Sequence, residues 1–131
     1  MKTYHEANEV VKQITKPCED CPFRRIAIAG WLAGQSPADY CQMAHSDDVI
    51  QCHTKLMDGE PVQCAGVAIY RANVAKRCEL PNIKLPADRK SVFASPSEFL
   101  EYHSRKKLTA KQISKMMLQS FCKRMSEFME D

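Results

Sequence analysis

The chain has 131 residues, a formal net charge of +3, 44% hydrophobic and 27% charged residues, which is the length of one domain and the composition of a globular one. No apolar run approaches the ~18 residues that a membrane span needs, and the apolar content excludes a disordered chain. Against this background stand seven cysteines, Cys18, Cys21, Cys41, Cys52, Cys64, Cys78 and Cys122, which a chain of this size does not require as covalent staples.

Residues 3–15 read as a short helix, with Val10, Val11 and Ile14 on one side and a breaker at Pro17. A loop follows from Lys16 to Ser36, carrying Cys18-Glu19-Asp20-Cys21-Pro22-Phe23-Arg24-Arg25 and an apolar stretch, Ile26 to Leu32, broken by Gly30 and Gly34. Ser36-Pro37-Ala38-Asp39 supplies an N-cap, a proline at the first helical position and an early acid, so a helix runs to about His45 with Cys41 on it. Residues 49–56 suit a short strand before a turn at Asp58-Gly59. The alanine-rich run from Val62 to Arg77 has helical composition and puts Cys64 in its first turn. Residues 78–95, with Pro81 and Pro86, read as a long loop, a length found in compact domains where the loop wraps or works. Ser95-Pro96-Ser97-Glu98 and Thr109-Ala110-Lys111-Gln112 are capping boxes that open two further helices. The second carries Ile113, Met116, Met117, Phe121, Phe128 and Met129 at helical spacing, an expected core stripe. The expectation is a mainly α single domain of four to five helices spanning residues 1–131, with a metal-binding segment at 16–75 and a basic helical part at 95–131.

The N-terminus shows no basic start followed by an apolar stretch, so no signal peptide is read and a cytoplasmic location is expected. A reducing cytosol disfavours disulfides, and an odd number of thiols cannot pair completely within one chain. Cys18-x-x-Cys21 puts two thiolates on one tight loop, able to grip a single metal centre. Cys52 and Cys64 best supply the other two ligands: one ends an apolar extended stretch, and the other opens a helix whose dipole favours a thiolate. His53, adjacent to Cys52, is an alternative ligand or a donor behind the ligands. Cys41 and Cys122, on helices among apolar residues, are expected as core thiols, and Cys78 is unassigned. Buried thiols without metal, or a redox dithiol, are the competing readings. Two isolated cysteines in the second half, and the proline after Cys21, slightly favour a [4Fe-4S] cluster over zinc, with one metal centre per chain.

Three segments, Pro17-Cys18-x-x-Cys21-Pro22-Phe23-Arg24, Cys52-His53-Thr54-Lys55 and Gln63-Cys64-Ala65-Gly66-Val67-Ala68, together resemble a small family of phage and bacterial proteins. That family carries a Cys-x-x-Cys-Pro-(Phe/Trp)-Arg loop, a later Cys-His and a Cys-x-Gly. The resemblance covers about residues 16–75. It implies that Cys18, Cys21, Cys52 and Cys64 act together and that the chain is of phage or prophage origin, and it brings no activity. The first loop alone is also similar to the Cys-x-x-Cys-Pro loop of iron-sulfur uracil-DNA glycosylases.

Charge is uneven: residues 1–60 carry about −3 and residues 61–131 about +6. His103-Ser104-Arg105-Lys106-Lys107, continued by Lys111, Lys115, Lys123 and Arg124, forms a basic cluster suited to phosphate contacts or, as readily, to a solvated helix face. Arg105, Lys106, Lys107, Lys111 and Lys115 are the candidate contacts to nucleic acid or a host protein. Asp47-Asp48 reads as solvated surface. No phosphate-cradling glycine loop and no nucleophile-base set is visible, so a non-enzymatic metal-binding accessory protein of the cytoplasm is expected. The competing function is an iron-sulfur enzyme or redox sensor in nucleic-acid processing. No membrane partner is expected.

Overall fold

The computed structural model describes residues 17, 20–57, 60–76, 82 and 84–129, of which 52–57, 60–62, 128 and 129 are described by backbone alone. The helix expected at 3–15, the turn at Asp58-Gly59, and Cys18 and Cys78 lie outside the described residues. Four helices and one two-stranded ribbon are seen among them: α1 (Pro37–Ala44), β1 (Gln51–Met57), β2 (Glu60–Gln63), α2 (Ala65–Asn73), α3 (Pro96–Ser104) and α4 (Ala110–Met129). None of the helices is long and apolar enough to cross a membrane.

The helix starts follow their local chemistry. Ser36 Oγ accepts the Asp39 N–H at 3.1 Å, and Ser95 Oγ accepts the Glu98 N–H at 3.2 Å, each relieving one unpaired donor of a first turn. At α4 the box closes both ways, Gln112 N–H to Thr109 Oγ1 at 3.1 Å and Thr109 N–H to Gln112 Oε1 at 2.8 Å. The run expected as a single helix from Val62 to Arg77 is instead divided. Residues 60–63 pair antiparallel with β1, in the register Gln51 to Gln63 and Met57 to Glu60, and the helix begins only after Cys64. Pro61 is tolerated in this ribbon because each strand is an edge, and the helix starts where Cys64 supplies the N-cap rather than at Val62.

Helix α1 is central, packing against α4, α3 and α2. Phe23, fully buried, lies in the core with its ring centroid 5.7 Å from Tyr40, 5.1 Å from Tyr70 and 4.7 Å from Phe99. The loop after Cys21 is therefore core itself. Cys21, Phe23, Leu32 and Tyr40 join Tyr70, Val92, Phe93, Phe99 and Leu100 in one cluster. The described part of the long loop does wrap. Arg25 N–H reaches Ser91 O, Phe93 N–H reaches Phe23 O, and Asn73 Nδ2 donates to the Val92 and Phe93 carbonyls.

Arg71, only 5% exposed, holds the end of α1. Its guanidinium donates to Ala44 O at 2.8 Å, Ser46 O at 2.9 Å, Asp48 O at 2.9 Å and Asn82 Oδ1 at 2.9 Å. A cation facing the carbonyl end of a helix is favoured by the dipole, and so many acceptors satisfy the buried fork.

Candidate metal centre

Of the four expected ligands, Cys21 and Cys64 are described with their side chains, and the fold brings them together. Their sulfurs stand 3.8 Å apart, in residues 1% and 7% exposed and 43 positions apart in sequence. Cys64 is the N-cap of α2, and its Sγ accepts the Val67 N–H at 3.4 Å. The Cys21 sulfur beside it and the N–H groups of Val67 and Gly66 hold the Cys64 thiol below its usual pKa against the opposing effect of burial, with the Arg71 charge adding to the decrease. That favours the thiolate, the form that binds metal.

The fit around Cys21 is close. A β-carbon on Gly66 would stand 2.2 Å from Cys21 Sγ and 3.3 Å from Phe23 Cβ, so only glycine lets the start of α2 approach the thiol. The Cys21 carbonyl accepts the Arg24 N–H at 3.1 Å, closing a turn. From the far side His103 clamps the loop: Gly30 N–H donates to Nδ1 at 2.9 Å, which leaves the ring proton on Nε2 to donate to Pro22 O at 2.8 Å. Burial, opposed by the Pro22 bond, lowers the His103 pKa and favours this neutral form. The sequence places His103 in an exposed basic cluster, but the residue is 4% exposed and belongs to the support of the cysteine loop.

Cys18 is three positions before Cys21 and outside the described residues. Cys52 and His53 are placed by backbone in β1. Cys64 N–H donates to Ile50 O at 2.8 Å, so the strand brings Cys52 to within two residues of the cross-strand neighbour of Cys64. No group of three metal-ligating side chains occurs among the described residues.

The other thiols divide. Cys41 is fully buried, with Tyr70 Oη at 3.5 Å, and burial pushes its thiol up to about 12, the state of an inert core cysteine. Cys122, expected in the core, is exposed on α4. Phe121 likewise leaves the expected stripe, being 45% exposed. Ile113 and Ser120 turn inward, and α4 buries a narrower face than its apolar content suggests.

The basic cluster is also redistributed. Lys123 pairs with Asp39 at 3.0 Å and Arg124 with Asp48, while Lys76 pairs with Asp47 at 3.0 Å. Lys123 and Arg124 are thus committed to acidic partners, and Asp47-Asp48 is an ion-paired surface. Arg105, Lys106, Lys107, Lys111 and Lys115 are exposed. Missed by sequence reasoning is the loop that Arg105 holds. Ile26, Ile28 and Trp31 are 73%, 59% and 41% exposed, and the loop is tied to α3 by Tyr102 Oη to Ala27 O and by Arg105 Nη2 to Ala29 O at 2.8 Å. Arg105 adopts φ 60° to end the helix there.

Two open clefts accompany these features. One, of about 500 Å³ between α1 and α4, is lined by Asp39, Gln42, Ser120, Lys123 and Arg124. The other, of about 470 Å³, is lined by Arg25, Phe93, Glu98, Glu101, Tyr102 and Lys106. Its carboxylates are engaged in the fold: Glu98 with Arg25 at 2.9 Å and the Ala94 N–H, Glu101 with the Leu108 N–H. No family model, curated protein or solved structure matches the chain.

Proposed function

We propose that the protein is a non-enzymatic binding module built around one metal centre, held by Cys18, Cys21, Cys52 and Cys64, that contacts nucleic acid through its basic surface. The observation that carries this reading is the buried apposition of Cys21 and Cys64 at 3.8 Å, from two of the three segments that share motifs with phage and bacterial proteins. An accessory role in a phage-infected or lysogenic cytoplasm is consistent with those motifs. The cleft carboxylates are used by helix ends and an ion pair, which favours binding over catalysis.

For the contact, Trp31 is 41% exposed in the loop whose Ala29 carbonyl takes the Arg105 guanidinium, and base stacking beside cations is how single strands are held without reading sequence. Trp31 is the chain's one tryptophan, so its fluorescence reports binding directly. Titration with a single-stranded oligonucleotide across a salt series is expected to quench it, with affinity falling steeply as salt rises. No quenching at low salt, together with capture of a host protein through the same surface, removes nucleic acid in favour of a protein partner. Metal content of the Cys21→Ser and Cys64→Ser proteins should fall to background while Cys122→Ser retains it. Equal retention in all three sinks the ligand set.

A further inference from the structure

We infer that this centre is a single tetrahedral ion, zinc, and not a four-iron cluster, an inference that rests on the four-cysteine reading above. Two thiolates on one zinc, with bonds of about 2.3 Å at the tetrahedral angle, stand ~3.8 Å apart. The observed Cys21 to Cys64 separation is 3.8 Å. In an iron-sulfur cube each cysteine binds a different iron at a different corner, and the iron-thiolate bonds radiate outward. The cysteine sulfurs are then farther apart than the irons that they bind, well beyond mutual contact.

The surroundings resist the separation that a cube requires. Cys64 Sγ is fixed as the cap of α2 by the Val67 N–H. Cys21 Sγ lies against Gly66, with Phe23 immediately behind, and the loop that carries it is anchored through Pro22 to His103. Neither of the clefts described above is lined by either cysteine. A pair of sulfurs in contact, buried and held from both sides, has the spacing of one edge of a small tetrahedron, and Cys18 and Cys52 are the remaining ligands of the proposed set. Zinc has no redox chemistry of its own, so the centre serves to join segments of the chain.

The test is the elemental and sulfide content of the full-length wild-type protein, purified without chelator from cells supplied with both iron and zinc. It needs no variant, so it stands even where cysteine substitutions prevent folding. About one zinc per chain, no acid-labile sulfide and a colourless protein are expected, with tetrahedral cobalt bands in the visible after exchange with cobalt(II). Iron and sulfide at about four each per chain, with broad absorption near ~400 nm, overturn zinc while leaving the four-cysteine centre standing. Protein that carries no metal at all overturns both.

Discussion

Gly66 and Cys21 share a space that admits no β-carbon: one added to Gly66 would come to 2.2 Å from Cys21 Sγ. The Gly66→Ala protein must therefore push α2 away from the cysteine loop or tilt the thiol. Overpacking of this kind costs about 1–3 kcal/mol. Because the displaced atom is a proposed ligand, the loss falls on metal affinity as well, and a competition assay with a zinc-binding dye should show at least a tenfold weakening, ~1.4 kcal/mol. Unchanged affinity with unchanged melting would show that the sulfur has room to move.

Acidification is expected to destabilise the fold through His103 and His45. Burial lowers both pKa values, aided at His45 by Lys76 and Arg71. Their unfolded forms, near ~6.5, take up protons before the folded forms do. Stability from this source is complete above that pH and declines as pH falls through it toward the lower folded values. Urea midpoints at pH 7.5 and 5.5 measure the decline. A His103→Gln protein should show a shallower one, and an equal slope would remove His103 from the effect.

Arg71→Lys keeps the charge that favours the Cys64 thiolate but loses the planar fork shared among the Ala44, Ser46 and Asp48 carbonyls. Buried acceptors left without donors cost about 1–3 kcal/mol. The expected result is a lower melting temperature with metal still bound. Loss of metal at full stability would reverse the assignment.

Thiol labelling distinguishes the cysteines outside the centre. Exposed Cys122 should react with a maleimide in the native protein, whereas Cys41, buried and with its thiol raised to about 12, should react only on unfolding. Mass mapping of the labelled peptides checks this.

Neutralising Lys106 and Lys107 to alanine should weaken single-strand binding and reduce the salt slope by ~0.7 for each phosphate that is no longer neutralised. Lys123→Ala, which removes a partner of Asp39, should leave the slope unchanged. Equal effects would mean that binding does not run through the 105–107 turn.

What is legible in the sequence is local. Ser36-Pro37, Ser95-Pro96-Ser97-Glu98 and Thr109 to Gln112 start helices where expected because a cap and its first turn are only a few residues long. The strand expected at 49–56 also forms, as β1 at 51–57. β2 is hidden because Glu60-Pro61-Val62-Gln63 has no strand pattern of its own and takes its form from β1. His103 reads as surface because it sits among cations. Its partners, Gly30 and Pro22, are 73 and 81 residues away. Cys122 and Phe121 have the spacing of a buried stripe, and only the placement of α1 against α4 decides which positions are covered. The Cys21 and Cys64 pair is suggested by residue type and motif order, while the sulfur separation that bears on the metal is a tertiary quantity.

The hydrogen bonds that fix the cysteine loop come from residues 91–93 and from His103. All four proposed ligands lie before residue 65, yet the groups that shape the Cys21 turn are made some seventy residues later than the turn itself. During synthesis the thiols emerge first and wait. In the proposed centre the ligand geometry is complete only with the last third of the chain in place, so a fragment that ends at residue 76 has every proposed ligand and lacks the mould, and it should bind zinc more weakly than the whole chain.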